Sequence, residues 1–202
     1  MKEKKRAFRQ KGEPGYIAFM KKFNLLITLV LFALAIGIFI TGLLIFESKA
    51  NICSIIGALF IIPAARYMTV WILFLPYKSV TDEEFKEIYG LMKGGNILYA
   101  DVLVTSTEKA YCMPFLVITG NKVFAFAKGN AKLYKVQDYM ADTIRRRGCD
   151  FKVMVTDDIA KFRSLLRSAD SAGELVFNDD EQRENFDRER AELCRIIESI
   201  MP

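Results

Sequence analysis

Two long apolar runs constrain this chain more than anything else in it. Asn24–Phe46 (NLLITLVLFALAIGIFITGLLIF) carries no charge. After the short polar break Glu47-Ser48-Lys49-Ala50, a second run, Asn51–Leu75, carries a single charge, Arg66. At about 1.5 Å per helical residue the first run reaches about 34 Å, enough to cross a hydrocarbon core of about 30 Å. Two such stretches side by side predict a membrane α-helical hairpin, with transmembrane helices over 24–46 and 51–75. Residues 79–202 are then left for a folded domain. A cleaved signal peptide is the competing reading of the first run, but the run is too long and has no small-x-small cleavage site with a mature domain behind it.

The charge is unevenly placed. The chain is +5 overall, yet residues 1–22 hold Lys2, Lys4, Lys5, Arg6, Arg9, Lys11, Lys21 and Lys22 against only Glu3 and Glu13. The basic character therefore belongs to the N-terminal tail (residues 1–23), not to a nucleic-acid-binding domain. Beside a membrane helix such a tail predicts a cytoplasmic N-terminus. Two crossings return the chain, so the C-terminal domain is expected in the cytoplasm as well, in a multi-pass protein of the cell membrane. Residues 1–14, with Gly12 and Pro14, are expected to stay unstructured until those eight basic side chains meet anionic lipid headgroups. Residues 15–23 fit either an interfacial turn or the start of the first helix.

Small residues recur at spacing four in both runs: Ala33, Gly37 and Thr41 in the first, Cys53 and Gly57, and Ser54 and Ala58, in the second. Such spacing lets helices approach closely in lipid. Packing within the hairpin is the expected use, and a homo-oligomeric face is the alternative. Arg66 falls about 22 Å from the outer end of its helix by helical rise, within snorkelling reach of the cytoplasmic headgroups. Pro63 is a candidate kink.

Histidine is absent altogether. That removes His-based acid–base catalysis, Ser-His and Cys-His nucleophiles and His-ligated metals. The four cysteines (Cys53, Cys112, Cys149, Cys194) form no C-x-x-C pair, and read as core residues or free thiols in a reducing compartment.

The C-terminal domain reads as a small α/β (α+β) unit in the order α-β-β-β-α-β-α plus a long final helix. Thr81-Asp82-Glu83-Glu84 is a capping box opening a helix that carries Phe85, Ile88, Leu91 and Met92 and ends at Gly94-Gly95. Strands are predicted at Ile97–Thr105, Tyr111–Thr119 and Lys122–Ala127, the last two joined by a Gly120-Asn121 turn. The run Phe115–Ile118 is apolar on both faces, as in a central strand covered by helices. A helix over Ala131–Arg147, a strand over Phe151–Val155 and a helix capped by Asp157 or Asp158 follow. A polar loop over Ser168–Gly173 and a short edge strand over Glu174–Phe177 come next. The helix over 179–201 places Phe186, Leu193, Ile197 and Ile200 on one stripe, interrupted by Arg190.

The antiparallel meander followed by a helical crossover, over roughly residues 82–156, resembles the PD-(D/E)XK nuclease-like fold in the order of its elements. The resemblance implies acidic metal ligands on the second and third strands, with an acid-x-Lys on the third. Here the first strand carries Asp101, Glu108 lies in a turn beside Lys109, and Lys122 opens a third strand without a carboxylate. Asp101, Glu108 and Lys122 are the weak catalytic candidates, in a pattern that departs from the family's. Gly94-Gly95-Asn96 is a helix stop rather than a phosphate loop. No cofactor or metal site is expected. The sequence therefore points to a two-pass membrane protein whose cytoplasmic domain is a non-catalytic binding or assembly module for a protein partner it does not identify. A membrane-anchored, degenerate nuclease-like enzyme is the alternative.

Overall fold

The computed structural model describes residues 9–46, 52–92, 95–105, 110–129, 133–172 and 179–202. The chain divides into two units. Residues 17–78 form one; residues 1–16 and 79–202 form the other.

The first unit holds α1 (Tyr16–Phe46) and α2 (Ile52–Phe74), both long and apolar enough to cross a membrane. α1 starts eight residues before the uncharged run, so residues 16–23 are helix and not a turn. The shielded side chains follow a four-three spacing. On α1 they are Asn24, Thr28, Leu31, Ala35, Ile38 and Gly42; on α2 they are Gly57, Phe60, Ala64, Tyr67, Trp71 and Phe74. That spacing is the seam of a left-handed helix pair. At Gly57 the backbones come together: a Cβ there would lie 3.0 Å from the Ala35 carbonyl oxygen and 3.7 Å from Phe39 Cβ. The expected Ala33–Gly37–Thr41 face is not used in this way, since all three residues are exposed and a Cβ on Gly37 would meet nothing within 4 Å. A strict spacing of four drifts around a helix, whereas alternating fours and threes stay on one face.

Polar groups within the helices are satisfied locally. Thr28 Oγ1 donates to the Asn24 carbonyl, Asn24 Nδ2 to that of Met20, Thr41 to Gly37 and Thr69 to Ala65. Lys21 Nζ donates to the carbonyls of Leu75 (2.9 Å) and Tyr77 (2.5 Å), just beyond the C-terminus of α2, where a cation meets the negative end of the helix dipole. Arg66 is exposed.

The second unit is an α+β domain. Its sheet has the order β1 (Ile97–Thr105), β2 (Ala110–Thr119), β3 (Lys122–Phe126), β4 (Lys152–Thr156). β1–β2 and β2–β3 are antiparallel and β3–β4 parallel. Gly120, at φ +52°, makes the β2–β3 turn. α4 (Leu133–Arg146) joins β3 to β4 and buries Val136, Met140 and Ile144.

One face of the sheet carries Ala100, Phe115, Val117, Phe124 and Phe126, packed against Ile88 of α3 (Asp82–Gly90) and Phe162, Leu166 and Ala169 of α5 (Ile159–Ala172). The Phe115, Phe126 and Phe162 rings lie 5.9–6.5 Å apart, within the range of favourable ring pairs. The opposite face carries Tyr99, Leu116 and Ile118, also buried, with α6 (Asp180–Ile200) against β1. The two-sided apolar character of Phe115–Ile118 is thus used on both sides.

The Thr81–Glu84 capping box forms as expected. α3 stops earlier than expected, at Gly90: the Leu91 and Met92 amides bond back to the Ile88 and Tyr89 carbonyls and tighten the last turn. α5 runs through the segment expected to be a polar loop. Ser164 and Ser168 return their hydroxyls to the carbonyls of Lys161 and Leu165, and Ala169 completes the apolar stripe begun by Phe162 and Leu166. Asp158 rather than Asp157 caps α5, through the Ala160 amide at 2.8 Å. The expected strand at 174–177 lies outside the described residues.

The seam yields a direct test. Gly57→Leu forces a side chain against the Ala35 carbonyl, so it lowers the stability of the detergent-solubilised protein by about 1–3 kcal/mol. Gly37→Leu leaves it unchanged. Thermal unfolding of the two variants beside the parent distinguishes them.

Candidate functional site

Asp101 is the most unusual residue of the domain. It is fully buried and its backbone lies at φ +53°, a left-handed conformation that aspartate tolerates better than most side chains. The cause is across the ladder. The β1–β2 register pairs Ala100 with Phe115 and Val102 with Met113, so Asp101 faces Pro114. Proline has no N–H to give to a central strand. Regular pairing lapses there and Asp101 leaves the extended region. Its carboxylate then turns to the start of the domain, where Oδ1 accepts the Val80 amide at 2.7 Å and Oδ2 accepts the Ser79 hydroxyl. Both oxygens are thus engaged with the segment that follows α2.

The other two catalytic candidates do not gather around it. Glu108 lies outside the described residues. Lys122 opens β3 opposite Thr119 and Lys152, half-buried. Continuing the same register places Asp101 level with Ala127, five residues along β3 from Lys122. At about 3.3 Å per residue that is about 17 Å. Among the described residues no three Cys, Asp or Glu side chains come together in a way that could hold a metal ion.

A second constellation was not legible in the sequence. Residues 9–14, expected to be unstructured until they meet anionic lipid, form with Gly15 and Tyr16 a strap on the domain. The Gly12 carbonyl accepts the Ala100 amide at 2.7 Å, pairing with β1 on its free edge. Gly12 needs its positive φ of +84°, and a Cβ there would overlap the Tyr99 ring. Lys11 Nζ donates to the carbonyls of Glu198 (3.1 Å) and Met201 (2.5 Å) at the C-terminal end of α6. The Tyr16 hydroxyl donates to the Pro202 carbonyl at 2.9 Å. Arg9 donates to the Pro14 carbonyl and pairs with Asp82 at 3.3 Å. Of the eight basic residues assigned to lipid headgroups, Arg9, Lys11 and Lys21 therefore spend donors on protein groups, Lys22 is exposed, and Lys2, Lys4, Lys5 and Arg6 lie outside the described residues. The Pro14-Gly15 pair before the helix is the one local hint of such a turn in the sequence.

Under the strap, the Tyr99 hydroxyl donates to Glu198 Oε1 at 3.2 Å. Burial above all, then the Cys194 thiol and the Glu198 carboxylate, push the Tyr99 phenol well above its ordinary value. Beside it, Gly95, Asn96 and Ile97 face Asp187, Arg190, Ala191 and Cys194 of α6 across a shallow pocket of about 510 Å³. Arg190, which interrupts the apolar stripe of α6, donates to the Gly95 carbonyl. Cys149 is buried, and burial followed by Glu189 and Glu192 raises its thiol, so it stays protonated and a poor nucleophile. The far edge of the sheet is closed as well: the Val155 amide donates to Gln137 Oε1 at 3.2 Å.

Comparison with protein-family models, curated proteins and solved structures finds no match to this chain.

Two expectations follow. Asp101→Ala leaves the Val80 amide without its acceptor and should cost about 1–3 kcal/mol of stability, read as a lower urea midpoint with an unchanged slope. Tyr99, raised on folding, binds its proton more tightly in the folded protein than in the unfolded one. Its contribution is complete below the ordinary tyrosine value of 10.0 and is lost as pH rises above it. Alkaline unfolding followed by circular dichroism should therefore be delayed in Tyr99→Phe, which has no phenol to ionise.

Proposed function

We infer that this is a two-pass membrane protein whose α+β domain lies on the cytoplasmic side and serves as a tethered binding or assembly module rather than a catalyst. The joint folding of residues 9–16 with residues 79–202 carries this reading. Those segments flank the two apolar helices, so a chain that crosses twice must bring both back to one side. Separate crossings to opposite sides would be incompatible with the Gly12–Ala100 and Lys11–Met201 hydrogen bonds. The Lys/Arg excess before α1 favours the cytoplasm as that side.

Asp101 speaks for a binding role rather than a catalytic one. A buried carboxylate whose two oxygens bind Ser79 and Val80 is committed to tying the first residues of the domain to β1. A metal-dependent hydrolase needs converging carboxylates with room for substrate oxygens. The domain's value is then its surface. That surface offers the mixed-charge outer face of α6 and the exposed aromatic rings of Tyr89 and Tyr134 to a protein partner.

Reporter fusions test the topology. A reporter after Pro202 should report cytoplasm, and one inserted between Ser48 and Lys49 should report the opposite side. A C-terminal reporter active only outside the cytoplasm overturns the orientation.

A further inference from the structure

We propose that the strap of residues 9–16 is a releasable latch, for which the domain and an anionic lipid surface compete. The inference rests on the membrane-tether reading and adds a regulatory device to it.

The charged contacts of the latch are individually weak and open to solvent, and its buried anchors are few: Gly12 on Ala100, and Tyr16, whose hydroxyl reaches the Pro202 carbonyl. The Arg9–Asp82 pair has side chains 30% and 58% exposed, and such pairs contribute little in high dielectric. Lys11 is exposed, reaching only backbone carbonyls at the C-terminal end of α6. Between them, one backbone hydrogen bond, Ala100 to Gly12, and one glycine laid on the Tyr99 ring complete the seat. Tyr16 is the one large side chain of residues 9–16 that is buried, at the hinge where the strap runs into α1.

The opposing pull is in the same stretch of chain. Lys2, Lys4, Lys5 and Arg6 precede the strap and α1 follows it directly. A cluster of basic residues next to a membrane helix is drawn to phosphatidylserine-type headgroups, within a Debye length of the surface. Arg9 and Lys11 bear the charges that both sides want. In a neutral bilayer the strap sits on β1 and α6. At an anionic surface the tail pulls it away, uncovering the Ala100 edge of β1 and the Tyr99 ring beside Cys194. Salt weakens the lipid attraction and re-seats the strap.

The Ala100 amide is the natural reporter, because in the seated state its hydrogen bond goes to Gly12 rather than to the sheet. The full chain is reconstituted in nanodiscs of phosphatidylcholine alone or with phosphatidylserine, and amide hydrogen exchange is followed by mass spectrometry over peptides spanning β1. Exchange at Ala100 should speed up by roughly tenfold or more in the anionic discs and slow again at high salt, while β2 stays protected. The variant Lys2→Gln, Lys4→Gln, Lys5→Gln, Arg6→Gln keeps every strap contact described above and should hold Ala100 protected in both lipids. Gly12→Ala, which cannot seat, should exchange fast in both. Protection of Ala100 that is the same in the two lipids for the parent chain overturns the latch and leaves the tether standing. Slow exchange in Gly12→Ala overturns the seat itself. Failure of the chain to enter either disc overturns the tether and the latch together.

Discussion

The carboxylate of Asp101 is the point on which the domain's arrangement turns. It connects three things that are distant in sequence: the segment leaving α2, the edge strand β1, and a proline in the middle of the sheet. Pro114 withdraws a donor from β2, Asp101 answers with a left-handed backbone, and the freed side chain reaches Ser79 and Val80. A left-handed residue costs energy and a buried carboxylate costs more. Both costs are offset by one amide and one hydroxyl that would otherwise be unpaired at the mouth of the domain. Val80 then joins the aromatic cluster around Phe115 and Phe162, so the polar tie and the apolar core close over the same few residues.

What was legible in the sequence is what local chemistry decides. The Thr81–Glu84 capping box, the Gly120 turn and the period of α6 are set by residues within a few positions of each other, and each is where the pattern put it. The two-sided burial of Phe115–Ile118 was readable because a strand with no polar face has only one kind of place to go. The misses share a different cause. The helix seam was legible at Gly57, the expected close approach; the rest of it was hidden because nearly every position of α1 and α2 is apolar, so the residues that face each other do not stand out from those that face away. The strap depends on Tyr99, Ala100 and the end of α6, all remote from Gly12. The conformation of Asp101 depends on Pro114. The extension of α5 depends on Ala169 finding the phenylalanines. Each needed a partner that only the fold supplies.

The candidate site teaches the same lesson. Asp101 attracted notice as a carboxylate on a strand, and it is exceptional, but for its backbone rather than for its access to a substrate. The register separates it from Lys122 by the length of a short strand. An antiparallel meander and a helical crossover are present, and the third strand carries no carboxylate. An arrangement of strands constrains where a site would be, and the side chains decide whether one is built.

The strap also imposes an order in time. Lys11 and Gly12 are synthesised long before the residues they rest on: Tyr99 and Ala100 come after both apolar helices, and Met201 comes later still. At about 5–20 residues per second, roughly ten to forty seconds separate the two. During that interval Arg9 and Lys11 have no α6 and no α3 to bind. They then precede the first apolar helix without the partners that later hold them. Afterwards the same two side chains become part of a folded domain. One short segment thus waits through the synthesis of the whole domain before it can take its place in the architecture.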